Sequence, residues 1–314
     1  MADTTRIAII GGAGRVGATV AFALQAAGLG REILLLDVAD QQVKGEALDL
    51  RHGASVAGAQ RFSVGDYRDA AAADLVVVCA GLRRQPNESR LVLAGRNVAL
   101  FRNILGELAQ AGLSEHAILI VVTNPVDVLT YIAAKSGILP PSRIIGTGTL
   151  LDTVRFRSLL AEQADCDPRQ VNALIIGEHG DSMVPVWSTA TVNDVPLDGV
   201  PGLDSEKREA AFAATRGAGN EMNTLKGGSG FAIALAVREL VAAIVGDTRA
   251  VLPVSTLQDG TYGLRDVALS VPTAVGREGA IERQEMPLSP DERQALERSA
   301  AVLKETLAHL APSR

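Results

Sequence analysis

Short apolar runs alternate with longer helical segments through the first half of the chain, and this alternation restricts the fold more than any other feature. The apolar runs lack polar alternation, which indicates strands of a parallel sheet covered by helices on both faces. The predicted strands are RIAII (6–10), EILLLD (32–37), DLVVVCA (74–80), AILIVVT (117–123) and RIIG (143–146). The predicted helices between them include 15–28, 90–111 and 126–136. This order predicts an α/β fold with a doubly wound parallel sheet.

The pattern changes after Gly146, where short segments with Pro and Gly turns become common. Helices are predicted at about 150–164, 205–225, 229–245 and from Pro290 to about Leu310. Ser289 stands where a helix N-cap is expected, with proline in the first helical position. We therefore predict two domains, a sheet domain over 1–146 and an α+β substrate and catalytic domain over 147–314.

Composition and charge exclude several classes of protein. The 314 residues carry a formal net charge of -6, which argues against a nucleic-acid binder. The two cysteines form neither a disulfide framework nor a metal-ligand spacing. No apolar run approaches the roughly 18 residues that a membrane span needs, and the N-terminus lacks a signal peptide. These features predict a cytoplasmic protein with neither a nucleic-acid nor a membrane partner.

A glycine-rich segment, IIGGAGRVG, follows the first predicted strand and opens a helix. Gly12, Gly14 and Gly17 match G-x-G-x-x-G, which allows a tight turn, close approach of a pyrophosphate and close helix–strand packing. A glycine turn without a ligand is the alternative interpretation. The strand–turn–helix context favours dinucleotide binding, since the start of a helix attracts anions.

Asp37 strengthens this interpretation, because it closes the second predicted strand twenty residues after Gly17. Its carboxylate can accept hydrogen bonds from the ribose hydroxyls and would repel a 2′-phosphate. We therefore predict that NAD, rather than NADP, is the cofactor of a Rossmann domain over 1–146. Arg15 and Val16, within the same turn and helix start, are assigned to the cofactor site with the glycines.

His179 is one of four histidines in the chain and stands in LIIGEHGDSMVPVW. A lone histidine often has only a structural role, but LLDTVRFR carries two residues that could act with it. Asp152 and Arg155 lie three positions apart on one face of a predicted helix. The acid could orient a histidine, and the arginine could bind a carboxylate in two-point fashion.

These motifs together resemble the lactate/malate dehydrogenase superfamily. GEHGDS, LLDTVRFR, TNPVDVLTY, KGEALDLRHG, VLPVS and the opening glycine motif occur in the same order and extend over nearly the whole chain. The resemblance implies NAD-dependent interconversion of a 2-hydroxy acid and a 2-keto acid. It also implies a homotetramer or a homodimer.

The resemblance implies a role for each matching residue. His179 matches the proton donor and acceptor, and Asp152 matches its carboxylate partner. Arg155 matches the arginine that binds the substrate carboxylate. Asn124 matches the asparagine near the substrate oxygen and the nicotinamide, and Ser229 stands where lactate dehydrogenases carry a threonine near the substrate.

The identity of the substrate is inferred from two arginines in the loop CAGLRRQPNESR. Arg90 matches the arginine that polarises the substrate carbonyl, and Arg84 lies six positions before it. That position holds glutamine in lactate dehydrogenases and arginine in malate dehydrogenases. The resemblance thus implies a malate dehydrogenase of the lactate-dehydrogenase-like branch, which would act on the dicarboxylates malate and oxaloacetate in the tricarboxylic acid cycle. Arg84 exposed to solvent is the alternative.

Three other interpretations stay open. L-Lactate dehydrogenase is the main alternative, because GEHGDS, GTGTLLDT and KGGSGFAIA resemble that branch. A non-catalytic NAD-binding protein on the same fold is disfavoured by the presence of His179, Asp152 and Arg90 together. Tyr131 and Lys135 form the Y-x-x-x-K pair of short-chain dehydrogenases, but the glycine motif lacks the short-chain pattern.

Overall fold

A mixed sheet of nine strands crosses the computed structural model, which describes residues 5–83, 85 and 88–310. Six of its strands are parallel, namely β1 (Arg6–Ile10), β2 (Glu32–Leu36), β3 (Arg61–Val64), β4 (Leu75–Val78), β5 (Ile118–Val121) and β6 (Ile144–Gly146). Their spatial order is β3-β2-β1-β4-β5-β6. The order reverses direction between β1 and β4, and ligands of open α/β sheets bind at such a switch point, beyond the carboxyl ends of the strands.

Helices connect the parallel strands. They are α1 (Arg15–Ala26), α2 (Asp40–Ala57), α3 (Tyr67–Ala71), α4 (Arg90–Gln110) and α5 (Val126–Lys135). The Rossmann fold predicted from the sequence is confirmed. The prediction did not include β3 and α2, because β3 has a partly exposed edge sequence and α2 is largely polar.

The second half of the chain extends the same sheet. It contains α6 (Leu150–Ala164), α7 (Ser205–Lys226), α8 (Phe231–Val245), β12 (Ala250–Asp259), β13 (Arg265–Gly276), β14 (Gly279–Arg283) and α9 (Pro290–Leu310). Strand β12 joins the sheet antiparallel to β6, with Ser255 opposite Gly146, and pairs in turn with β13. The predicted α+β character of this half is confirmed, whereas the boundary after Gly146 stays a prediction.

Five two-residue strands form smaller sheets between α6 and α7. They are β7 (Val171–Asn172), β8 (Ile175–Ile176), β9 (Val184–Pro185), β10 (Thr191–Val192) and β11 (Val195–Pro196). Strand β8 pairs with β9, and His179 lies in the connection between them. Gly177, at the start of that connection, bonds to Ser270 of β13. The connection is therefore anchored to the main sheet two residues before His179.

Strand β1 shows how the apolar runs build the core. Ala8 and Ile10 belong to one buried cluster, and Ile7 and Ile9 belong to the other. Successive side chains of a strand point to opposite faces, so a continuous apolar run supplies both clusters at once. Each fully buried Leu, Ile or Val contributes about 1.5–3 kcal/mol relative to exposure. Among the helices of the described ranges, none is long and apolar enough to span a membrane.

Candidate active site

The turn between β1 and α1 is shaped by its glycines. A Cβ atom on Gly17 would overlap the carbonyl oxygen of Gly11, and one on Gly12 would lie 2.9 Å from Cβ of Leu35. Gly14 is the N-cap of α1 and provides no side-chain hydrogen bond. The first N–H groups of a helix have no partner within the helix, so this turn is a site for an anion. The residues present therefore fit a dinucleotide pyrophosphate.

The Asp37 carboxylate holds this turn against the end of β2. Its Oδ2 accepts the N–H of Ala13 at 3.0 Å, and its Oδ1 accepts the N–H of Ala39 at 3.0 Å. The side chain is only partly buried. A partly exposed carboxylate beside the glycine turn is suited to accept hydrogen bonds from ribose hydroxyls.

The other two residues assigned to the cofactor site differ in their surroundings. Val16 is partly buried and packs against the core. The guanidinium of Arg15 donates to the carbonyl oxygen of Gly228 at 2.8 Å. Arg15 therefore contacts the connection between α7 and α8, which carries Ser229.

His179 and Asp152 form a pair. Nδ1 of His179 lies 2.5 Å from Oδ2 of Asp152, which is in the first turn of α6 and is 1% exposed. Burial tends to lower the pKa of His179, but the charge of Asp152, this hydrogen bond and the charge of a second carboxylate together outweigh burial and raise it. Because Nδ1 is engaged, Nε2 is the ring nitrogen that can exchange a proton with a substrate.

Arg155 lies one helical turn after Asp152 and completes a cluster with it. One guanidinium nitrogen lies 3.3 Å from Oδ1 of Asp152, and the other donates to Oγ of Ser229 at 2.8 Å. The Arg155 side chain is 13% exposed. A partly buried guanidinium can bind the carboxylate of a substrate. The histidine beside it can then exchange a proton with the oxygen on the neighbouring carbon of that substrate.

Asn124 follows β5 at the carboxyl edge of the sheet and precedes a cis peptide bond to Pro125. Its carbonyl oxygen accepts a hydrogen bond from the Asn97 side chain at 2.9 Å, and its own Oδ1 accepts the N–H of Val126 at 3.3 Å. The residue is exposed. Asn124 therefore stands at the switch-point edge of the sheet.

Of the two arginines assigned to the substrate site in the loop CAGLRRQPNESR, the structure describes only Arg90. Arg90 begins α4 and contacts Asp181, two residues after His179, at 3.3 Å, and it also contacts Asn220 of α7 at 3.0 Å. Its side chain is 64% exposed. Arg90 thus lies beside the His179 segment without bonding to His179 itself. Arg84 lies outside the described residues.

Asp127 was missed by the sequence analysis. It lies in α5, is 3% exposed, and its Oδ2 accepts the backbone N–H of His179 at 2.7 Å. Burial raises the pKa of Asp127 to about 6. A charged residue within the apolar segment VDVLTY was the available signal.

Comparisons with known proteins cover nearly the whole chain. The family model described as lactate/malate dehydrogenase, NAD binding domain, matches residues 5–146. The model for the lactate/malate dehydrogenase alpha/beta C-terminal domain matches residues 149–312.

The curated relatives include several named L-lactate dehydrogenase. The protein from Thermoanaerobacter sp. (strain X514) is 39% identical, over 97% of this chain and 99% of the relative. The protein from Acetivibrio thermocellus is 41% identical over 94% of both chains. A crystal structure of minor L-lactate dehydrogenase from Enterococcus mundtii in a ligands-bound form superimposes with a TM-score of 0.93. It has 34% identity and covers 99% of this chain and 100% of that chain.

These relatives correct the substrate prediction. The expectation of a malate dehydrogenase in the tricarboxylic acid cycle is wrong, because relatives at about 40% identity over nearly the full length are named L-lactate dehydrogenase. That expectation depended on Arg84, one side chain in a short loop, whereas the similarity extends over both halves of the chain. The NAD prediction is confirmed. The protein is an NAD-dependent 2-hydroxy-acid dehydrogenase and belongs to the lactate/malate dehydrogenase family.

Proposed function

We propose that this chain is an L-lactate dehydrogenase, which reduces pyruvate to L-lactate and catalyses the reverse reaction. The observation that carries this proposal is the pair formed by His179 and the buried Asp152, with Arg155 one helical turn after Asp152. Relatives that match nearly the whole chain are named for this activity. The pair provides proton transfer, and the guanidinium provides a site for the carboxylate of a 2-keto acid.

The reaction joins a proton transfer to a hydride transfer. NADH, when bound, would supply the hydride for the keto carbon of pyruvate. Protonated His179 donates its proton to the keto oxygen as negative charge grows there, and neutral His179 accepts that proton in the reverse direction. Asp152 orients the ring and stabilises its protonated form.

Other side chains bind the substrate and stabilise the developing charge. Arg155 and Ser229 bind the pyruvate carboxylate, and Asn124 orients the keto oxygen near the nicotinamide. Arg90 moves from Asp181 and Asn220 to polarise the carbonyl, which stabilises charge that is largest in the transition state. The exposure of the Arg90 side chain supports this movement, because an exposed ion pair contributes only about 0–1 kcal/mol.

The glycine turn and its neighbours bind the cofactor in this proposal. Gly12, Gly14 and Gly17 admit the pyrophosphate, with N–H groups of Arg15 and Val16 in the first turn of α1. Asp37 accepts hydrogen bonds from the adenosine ribose. The Arg15 side chain, which contacts Gly228, connects this turn to the segment that carries Ser229.

A comparison of two substrates tests the proposal. Purified protein should oxidise NADH with pyruvate at a higher kcat/KM than with oxaloacetate, and His179→Asn should abolish turnover while NADH binding persists. A higher kcat/KM for oxaloacetate would overturn the assignment to lactate. Unchanged turnover in His179→Asn would overturn the proposed mechanism.

A homotetramer, or a homodimer, is proposed as the assembly. Apolar side chains on α1 and α8 are exposed, with Phe22 at 61%, Phe231 at 71% and Leu235 at 52%, which supports a contact between subunits. Light scattering of the purified protein gives the mass directly, and a monomer at micromolar concentration would contradict the proposal. A cytoplasmic location stays a prediction.

A further inference from the structure

The His179 segment is held by side chains from two helices. Asp127 of α5 accepts the N–H of His179 at 2.7 Å, and Ser299 of α9 accepts the N–H of Glu178 at 2.8 Å. Two consecutive peptide groups are thus fixed by an acidic side chain and by a neutral one. Replacing each side chain in turn therefore separates the effect of a negative charge on His179 from the effect of holding its backbone.

Asp127 has an unusual environment for a carboxylate. The residue is 3% exposed, and its Oδ2 accepts the hydrogen bond from the backbone N–H of His179. Within the described part of the chain, its Oδ1 and the nearby Ser255 Oγ reach no hydrogen-bond partner of standard geometry. Burial raises the pKa of Asp127 to about 6, although the Ser255 hydroxyl and His179 oppose that rise. Above this pKa, Asp127 carries a buried negative charge beside His179.

Several charges act around the His179 ring. Asp152 and Asp127 raise the pKa of His179, and Arg155 lowers it. Glu178, the residue before His179, adds negative charge near Asp127 and raises its pKa. Asp152 of α6 bonds to the ring itself, whereas Asp127 of α5 bonds to the backbone of the same residue.

We propose that Asp127 is a positioning residue for His179, which holds the histidine backbone in place and stabilises the imidazolium form with a second negative charge. The inference rests on the proposed function, because His179 must be the proton donor for this charge to affect turnover. A purely structural Asp127 would hold the segment without affecting the protonation of the ring.

The test is a comparison of three variants with wild type. Asp127→Asn keeps an oxygen that can accept the His179 N–H but removes the charge. Ser299→Ala removes the neutral anchor next to it and is the matched control. Ser255→Ala removes the hydroxyl that keeps the pKa of Asp127 down, and it provides a milder test if Asp127→Asn fails to fold.

The first measurement does not depend on turnover. The pKa of His179 is obtained by NMR titration of 13C-labelled histidine in the free protein, with the resonance assigned by its loss in His179→Asn. Asp127→Asn should lower this pKa by about 0.5 to 1 unit, because a nearby opposite charge has been removed. Ser255→Ala should shift it less and in the same direction, and Ser299→Ala should not shift it.

The second measurement connects the shift to catalysis. The alkaline limb of kcat/KM for pyruvate and the acid limb of kcat/KM for lactate should both move to lower pH in Asp127→Asn. An unchanged His179 pKa in Asp127→Asn, or in Ser255→Ala where the first variant does not fold, would overturn the inference. Absence of pyruvate turnover in wild type, with the NMR shifts as expected, would overturn the proposed function and leave the charge coupling intact.

Discussion

His179 and Asp152 are joined by a 2.5 Å hydrogen bond from Nδ1 to Oδ2, and the carboxylate that accepts it is almost completely buried. The two residues lie 27 positions apart, on α6 and on the connection after β8. The bond selects the tautomer of the ring and leaves the other nitrogen for the substrate. It also brings a negative charge into contact with the group that must carry a proton.

Asp152→Asn should reduce kcat for pyruvate by about 10²–10⁴-fold, because the amide cannot stabilise the imidazolium and favours the wrong tautomer. NADH affinity should change little, since the glycine turn is separate from this pair. Steady-state kinetics and a fluorescence titration with NADH measure both quantities. Asp198→Asn is the matched control, as that carboxylate is 88% exposed and bonds to Arg208. Equal losses in the two variants would contradict the role given to Asp152.

As pH rises, kcat/KM should fall for pyruvate and increase for lactate. Pyruvate reduction requires protonated His179. Burial lowers the pKa of His179, but Asp152 and Asp127 together raise it above its ordinary value of 6.5. The kcat/KM for pyruvate should therefore be constant at low pH and fall about tenfold per unit above the pKa of His179. The kcat/KM for lactate should rise with pH through the same pKa. Reduction that rises with pH would exclude His179 as the proton donor.

Arg155→Lys should raise KM for pyruvate and lower kcat/KM by roughly 10- to 100-fold, because lysine cannot bind a carboxylate through two parallel hydrogen bonds. Ser229→Ala should have a smaller effect on kcat/KM, equivalent to a loss of about 0.5–1.5 kcal/mol of binding free energy for one hydrogen bond. Arg102→Lys, at an exposed position of α4, is the control for the change of side chain. Loss of NADH binding in Arg155→Lys would instead indicate damage to the fold.

Gly17→Ala should weaken NADH binding and lower the melting temperature, because the added Cβ would overlap the Gly11 carbonyl and force α1 away from the turn. Gly45→Ala is the matched control, since it lies within α2 and its Cβ would meet open space. That control should stabilise the protein by about 0.5–1 kcal/mol. Thermal unfolding and NADH titration of both variants distinguish them, and similar behaviour would refute the packing argument.

Asp37→Asn should narrow the preference for NADH over NADPH, because it removes the charge that repels a 2′-phosphate. The amide oxygen can still accept a hydrogen bond from Ala13 or Ala39, so the turn should keep its shape. The ratio of kcat/KM for the two cofactors is the measurement. An unchanged ratio would show that Asp37 holds the turn without selecting the cofactor.

Local patterns in the sequence determined the fold class and the glycine turn, and the resemblance to a family supplied most of the other residues of the candidate site. Apolar runs without alternation indicated a parallel sheet covered on both faces, and β1 indeed supplies one core cluster with Ala8 and the other with Ile7. The glycine spacing indicated the turn at Gly12, Gly14 and Gly17, and at Gly17 the close Gly11 carbonyl leaves no room for a side chain. The resemblance assigned His179, Asp152 and Arg155, and the structure brings these three residues together.

Only the tertiary structure revealed that a second distant carboxylate, that of Asp127, contacts His179. Asp127 is 52 positions away, and its carboxylate, in α5, accepts the N–H of His179. No periodicity within one element can reveal such a contact, since it depends on how elements pack. The substrate inference failed because it depended on a single side chain, Arg84, whereas the similarity to proteins named L-lactate dehydrogenase extends over nearly the whole chain.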